Sequence, residues 1–242
     1  MESIKNEPAT AAWYFGFGAN MSASVFIERR KIRPLRTEAA CIPTHALCFN
    51  VLGIPYMDPG NGGIRPLNPD DSDATACVHG VAYLLTSDDL KRVILSEGGG
   101  IAYQVARLNA KLLLDDSPIV VDTLIGRHNV DASNERLPSA RYIGVLTRGA
   151  NELNLPLSYQ RRLAEQPIYR PKSGWWFQLG VALFLWPWTR AAIITERLVY
   201  KHQGPDGHVP AWFLFIFDCL LWLMWAQHDY IHGPIFGRGD GR

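Results

Sequence analysis

Seven of the eight tryptophans in this 242-residue chain, Trp175, Trp176, Trp186, Trp188, Trp212, Trp222 and Trp225, fall in its last 68 residues. That break in composition divides any fold the chain can adopt into two unlike parts. Two apolar runs carry the tryptophans. The first, Trp175 to Trp188, is shorter than the roughly 20 residues a bilayer core requires, and extending it to Ile194 takes in Arg190. The second, Ala211 to Ala226, is also short and contains Asp218. Tryptophans at the ends of apolar helices suit a membrane–water interface. Residues 175–232 are therefore expected to form a helical hairpin that lies in, or dips through, a membrane, with Gly204, Pro205 and Gly207 in its polar turn. The plainer alternative docks these helices on the rest of the chain or in a dimer interface.

The expected division is a polar N-terminal segment (1–12), a catalytic domain (13–170) and the Trp-rich tail (171–242). Met1 to Thr10 lacks the apolar core of a signal peptide, which predicts a cytosolic catalytic domain held at a membrane by its tail. A hydrophobic content of 48% is enough for a real core. A net charge of +1, with no Lys/Arg run interleaved with aromatics, excludes a nucleic-acid partner. Cys41, Cys48, Cys77 and Cys219 form no Cys-x-x-Cys pair and no zinc spacing, so free thiols in a reducing compartment are expected. His228 and His232 stand four apart beside Asp229, but no third ligand accompanies them and a structural role is expected; no metal is assigned. The residues define no oligomeric state.

Within 13–170 the pattern is mixed. An opening strand leads to a helix over about Ser22 to Arg30; residues 35–53 read as extended, and a Pro/Gly/Asp-rich loop spans roughly 54–74. A strand over 76–85, a capped helix, a partly alternating stretch over 101–114 and another strand through Ile125 follow, separated by the Asp115-Asp116-Ser117-Pro118 turn. Helical patterns cover Ala140 to Ala150 and Leu157 to Ala164. The fold class is α+β.

Two places in this domain suggest chemistry. In Trp13-Tyr-Phe-Gly-Phe-Gly-Ala-Asn-Met21, an aromatic strand breaks at Gly16 and Gly18, which permit close ligand approach. The chain then turns toward a helix start at Ser22, whose free N–H groups favour an anion. An ordinary strand-to-helix turn capped by Ser22 is the alternative. Gly16-Phe17-Gly18 lacks the third glycine of the dinucleotide fingerprint, and no P-loop is present. The second place begins at Thr86-Ser-Asp-Asp89, a capping box opening a helix that should end near Glu97, just before Gly98, Gly99 and Gly100. A glutamate there sits at the negative end of the helix dipole, which disfavours its charged form and suits it to act as a base near neutral pH. A solvated glutamate beside a flexible turn is the alternative.

The loop resembles the Tyr-Gly-Ser-Asn-Leu loop of the γ-glutamylcyclotransferase family, and Ser96-Glu-Gly-Gly-Gly-Ile-Ala-Tyr103 resembles that family's Glu-Gly segment. Gly62-Gly-Ile64, Val78-His-Gly-Val-Ala-Tyr83, Ala150-Asn-Glu-Leu-Asn-Leu-Pro156 and Tyr159-Gln160 resemble further family motifs in the same order, so the likeness covers roughly 13–165. It implies a small mixed β-barrel-like sheet with flanking helices, to which the chain adds its C-terminal apolar hairpin. It also implies Glu97 as catalytic acid/base, and Phe15, Gly16, Phe17, Gly18, Ala19, Asn20 and Met21 as substrate-binding loop; Tyr103 and Tyr142 are further candidates. Phe17, Ala19 and Met21 stand where the family usually has Tyr, Ser and Leu, which removes two hydroxyls and bears on substrate preference.

The implied reaction is lyase-type. The α-amino group of a γ-glutamyl amide attacks its own γ-carbonyl, closing 5-oxoproline and expelling the amine, with no cofactor or metal. Alignment of the folded chain and proton transfer by one glutamate suffice. The tail makes the whole resemble the γ-glutamylcyclotransferase-like proteins of fungal sulfur-containing (epidithiodiketopiperazine, gliotoxin-type) pathways, which implies a glutathione conjugate as substrate. The alternative is a membrane-bound adaptor that binds γ-glutamyl groups without catalysis.

Overall fold

The computed structural model describes residues 11–67 and 77–242; the polar segment Met1 to Thr10 and the end of the expected 54–74 loop lie outside the described residues. Six strands, β1 (Ala12–Gly16), β2 (Arg36–Ile54), β3 (Asp58–Pro66), β4 (Cys77–Leu85), β5 (Tyr103–Leu112) and β6 (Pro118–Gly126), are ordered β3-β2-β4-β1-β6-β5. β2 also pairs with β5 through Ala40↔Leu112 and Cys41↔Lys111, so five strands close a barrel and β3 extends it. All pairings are antiparallel except β1 with β6. The 19-residue β2 serves three partners because its register shifts between Ile42 and Ala46 against β4, and between Cys48 and Val51 against β3. Such bulges bend a strand from one sheet face toward another.

Alternation along β1 sends Tyr14 into one apolar cluster, with Phe26, Tyr83, Val93 and Leu146, and Phe15 into another, with Ile42, Val78, Ala82 and Val121. The first cluster lies beneath α1 (Ser87–Ser96), α2 (Ala140–Glu152) and α3 (Leu157–Ala164).

Two local expectations are corrected. The Pro/Gly/Asp-rich stretch is not a loop throughout, because Asp58–Pro66 is β3. Its glycines are there for close approach: a Cβ on Gly60 would lie 2.3 Å from the Arg136 carbonyl oxygen and one on Gly63 2.0 Å from Asn50 Oδ1. The helix expected over Ser22 to Arg30 is instead a short 3-10 turn, Ala19–Met21, followed by one wide π-helical turn, Ser24–Arg29.

The tail is a hairpin of α4 (Trp175–His202) and α5 (Ala211–Gln227), which runs on through a wide turn into α6 (Gly233–Phe236). The first apolar run thus continues helically past Pro187 and Arg190 for 28 residues, about 42 Å. The hairpin lies lengthwise against the barrel domain. At one end Tyr56 packs among Phe177, Phe184 and His228, and its hydroxyl donates to the Gly237 carbonyl at 2.8 Å. Midway, Asp218 of α5 pairs with Arg127 and with His128 at the end of β6. At the hairpin turn, the Val209 N–H donates to the Gly99 carbonyl at 2.9 Å. The outward face is bare: Trp175 is 77% exposed, Trp222 71% and Phe215 69%.

Candidate active site

Thr86 accepts the Asp89 N–H at 3.2 Å and so opens α1. The helix ends one residue before Glu97, whose N–H still reaches the Val93 and Ile94 carbonyls. Gly98, Gly99 and Gly100 follow with φ of +91°, +61° and +93°, a left-handed run that only glycine sustains without strain. This turn directs the chain away while Glu97 stays against the Trp13–Met21 loop. Its Oε1 accepts from Asn20 Nδ2 at 2.9 Å and pairs with Arg30 Nη2 at 2.6 Å; Oε2 takes no bond from the described residues. The Arg30 guanidinium is a positive charge beside the carboxylate that the helix-end argument did not count.

Asn20 is itself fixed. Its Nδ2 donates also to Tyr14 Oη at 2.8 Å, the Tyr83 hydroxyl donates to its carbonyl at 3.0 Å, and its Oδ1 is buried without a partner among the described residues. Across the site, Tyr142 sits in the first turn of α2, where its N–H is held by Ser139 Oγ at 3.1 Å. Tyr142 Oη accepts the Gly62 N–H at 3.1 Å, and the Tyr103 hydroxyl donates to the Gly62 carbonyl at 3.1 Å, so two tyrosines clamp one β3 peptide. A Cβ at Gly62 would come within 2.7 Å of Tyr142 Oη. Burial, followed by smaller effects, pushes the Tyr142 hydroxyl up to about 12 and those of Tyr14 and Tyr103 well above their ordinary range. All three are neutral hydroxyls at physiological pH.

These groups surround a cavity of about 240 Å³. Of the residues expected from sequence, Phe17, Gly18, Ala19, Asn20, Glu97, Tyr103 and Tyr142 line it. Phe15 and Met21 are buried in the core behind the loop, and Gly16 packs on Asn20 and Gly80. Sequence reasoning missed Tyr14, Arg30, Asn61, Gly62 and Leu124. Strand alternation placed Tyr14 opposite Phe15 and was a usable signal; Arg30 carried none. Elsewhere, neighbouring strands bring Cys41, Cys77 and His79 within 4.8 Å of one another, a grouping invisible to spacing rules. His228 is engaged structurally, with Nδ1 2.9 Å from Asp229 and Nε2 accepting the Gly239 N–H at 3.2 Å.

The five-stranded mixed barrel has counterparts among solved structures. A protein titled gamma-glutamyl cyclotransferase matches with a TM-score of 0.54 at 19% identity, and an uncharacterized human protein with 0.55 at 19%; each comparison covers 68% of this chain and 92% of the other. At that identity the likeness is one of fold. The sequence relatives are nearer. Gamma-glutamyl cyclotransferase gliK of Claviceps purpurea (strain 20.1) is 99% identical over 222 residues, 92% of this chain and all of that one. Its namesake in Aspergillus fumigatus is 36% identical over 98% of this chain and 92% of that one, and gamma-glutamyl cyclotransferase aclK of Aspergillus oryzae 31% over 95% and 90%. Residues 174–235 match the family described as the AclK C-terminal domain. The chain belongs to the γ-glutamyl cyclotransferase family.

Proposed function

We propose that Glu97 is the acid/base with which this γ-glutamyl cyclotransferase releases 5-oxoproline from γ-glutamyl amides. The carrying observation is a carboxylate fixed through Oε1 by Asn20 and Arg30, with Oε2 unencumbered, in a cavity smaller than the roughly 300 Å³ at which drug-sized sites begin. That volume suits a single folded glutamyl group. Glu97 removes a proton from the α-amino nitrogen as that nitrogen bonds to the γ-carbonyl carbon. It then returns the proton to the amide nitrogen as the C–N bond breaks and the amine departs. Closure of a five-membered ring by aligned groups needs no external nucleophile. The Phe17–Asn20 loop holds the α-carboxylate and carbonyl, with the Tyr103–Gly62–Tyr142 clamp as the rigid wall opposite. 5-Oxoproline release by the full chain, lost in Glu97→Gln, is the test; glutamate as the product would replace cyclisation by hydrolysis. The binding-only adaptor has no support, since the relatives above are all named as cyclotransferases.

The substrate class follows from the loop and the tail. Without hydroxyls at positions 17 and 19, the site offers fewer polar contacts to a small free substrate, and a glutathione conjugate, whose larger body makes contacts elsewhere, fits better. The tail rests on a membrane surface through its aromatic outer face. Contacts with the barrel domain at one end, midway and at the turn favour a hairpin lying along that surface over one crossing a bilayer. Co-sedimentation with lipid vesicles, lost when Trp222 and Phe215 are replaced by Ser, supports this placement; undiminished binding by that variant overturns it.

A further inference from the structure

We infer that the hairpin builds a second subsite, which takes an apolar substituent on the amine side of the γ-glutamyl amide. The inference rests on the reading of Glu97 as the reaction centre. A second cavity, of about 300 Å³, lies between the hairpin and the barrel domain. Its domain wall includes Leu95, Ser96 and Gly98, the residues that flank Glu97 on either side, and its hairpin wall includes Val199, Leu221 and Met224.

At two points a residue lining this cavity touches one lining the glutamyl cavity. Arg30, which lines the glutamyl cavity and pairs with Glu97, donates from Nη1 to Ser96 Oγ at 2.5 Å, and Ser96 lines the second cavity. Gly53 of the second cavity backs so closely on Asn61 of the first that a Cβ there would stand 2.6 Å from Asn61 Nδ2. The two spaces therefore face the same segment from opposite sides.

Their chemistry is complementary. The first is walled by the hydroxyls of Tyr14, Tyr103 and Tyr142, the amides of Asn20 and Asn61, a guanidinium and a carboxylate, with Phe17 and Leu124 among them. The second is walled mainly by aliphatic and aromatic side chains with Thr195, Glu196 and Tyr200 among them, the pattern of a ligand site with a few polar groups. Ala191 and Ala192 on α4 leave the space open where longer side chains would fill it. The hairpin is also what the fold itself does not require: solved barrels of this type are covered over 92% of their length by 68% of this chain, and residues 174–235 match a family of their own. What the added segment contributes beside the reaction centre is this apolar wall.

The test compares two amides on the full-length protein, γ-glutamyl-alanine and a γ-glutamyl-cysteinyl-glycine carrying an S-benzyl group, by 5-oxoproline release. Wild type is expected to prefer the benzyl conjugate at least tenfold in kcat/KM. Ala191→Trp should abolish that preference while leaving γ-glutamyl-alanine turnover unchanged. Leu221→Ala, which enlarges the cavity instead of filling it, should raise the relative rate on a conjugate with a naphthylmethyl group, and decides the matter if Ala191→Trp does not fold. Equal kcat/KM for the two amides in wild type, or a preference unaltered by both substitutions, overturns the subsite. Protection of the cavity by a spin-labelled acyl chain without any substrate preference would assign it to lipid and likewise overturn the proposal. A wild type that releases no 5-oxoproline from either amide would refute the Glu97 reading itself, a distinguishable failure.

Discussion

Asn20 and Glu97, 77 positions apart, are joined by a hydrogen bond of 2.9 Å from Nδ2 to Oε1, and the same amide nitrogen donates to Tyr14 Oη at 2.8 Å. The carboxylate is thereby tied to β1 as well as to its own helix. Asn20→Ala leaves it held by Arg30 alone, and kcat for 5-oxoproline release is expected to fall by about 10- to 100-fold, a fraction of what full loss of acid/base catalysis costs. KM should change less than threefold. A change confined to KM would show that Asn20 binds substrate and does not position the glutamate.

Glu97→Gln keeps the shape and removes the proton carrier. Turnover should drop by roughly 10² to 10⁴, while binding of a non-reactive γ-glutamyl analogue, followed by calorimetry, is retained. Residual turnover near the wild-type level would move the acid/base role to another residue.

Tyr103→Phe deprives the Gly62 carbonyl of its donor. An unsatisfied buried polar group costs about 1–3 kcal/mol, so the melting temperature should fall. Because Gly62 lines the cavity, KM should rise along with it. Tyr142→Phe removes the acceptor of the Gly62 N–H and should act in the same direction. A lowered melting temperature with unaltered KM would make the clamp purely structural.

Ala19→Ser restores one hydroxyl to the loop. A gained hydrogen bond is worth about 1 kcal/mol net, roughly fivefold in KM, and the gain should be seen with small γ-glutamyl dipeptides. A KM that stays constant would show that the hydroxyl at this position points away from substrate.

Alkaline stability follows from the buried tyrosines. Burial raises Tyr14, Tyr83, Tyr103, Tyr142 and Tyr159 above the ordinary value of 10.0, Tyr142 to about 12. A raised folded-state value means that the folded protein keeps protons the unfolded chain has released. Stability from this source is fully present below about pH 10 and is lost as pH rises through 12. Phenolate absorbance should therefore appear in two phases, the second coincident with loss of circular dichroism. A single smooth titration complete before unfolding would contradict the burial of these rings.

What could be read from the sequence was mostly local. The Thr86 capping box, the end of α1 at Glu97 and the strand at β4 depend on residues within a turn or a strand of one another, and each is where the pattern put it. β3 was hidden because its glycines answer to distant partners, Arg136, Tyr142 and Asn50, and not to any local preference for turning. Arg30 was hidden for a related reason: its partner lies 67 positions along the chain, and an ion pair between elements leaves no periodic trace. Asp218 looked like a flaw in an apolar run until Arg127 was found opposite it.

The bond between Val209 and Gly99 ties the bend of the hairpin to the second residue after Glu97. A chain ending at residue 170 would keep Glu97, Asn20 and Arg30 and would lose the Val209 N–H that the Gly99 carbonyl accepts, leaving that glycine held through its own N–H on the Ile94 carbonyl. The hairpin thus touches the segment that carries Glu97. A load on the outer aromatic face has several routes into the barrel, among them Tyr56–Gly237, Arg127–Asp218 and Val209–Gly99, and the last of these ends two residues from Glu97.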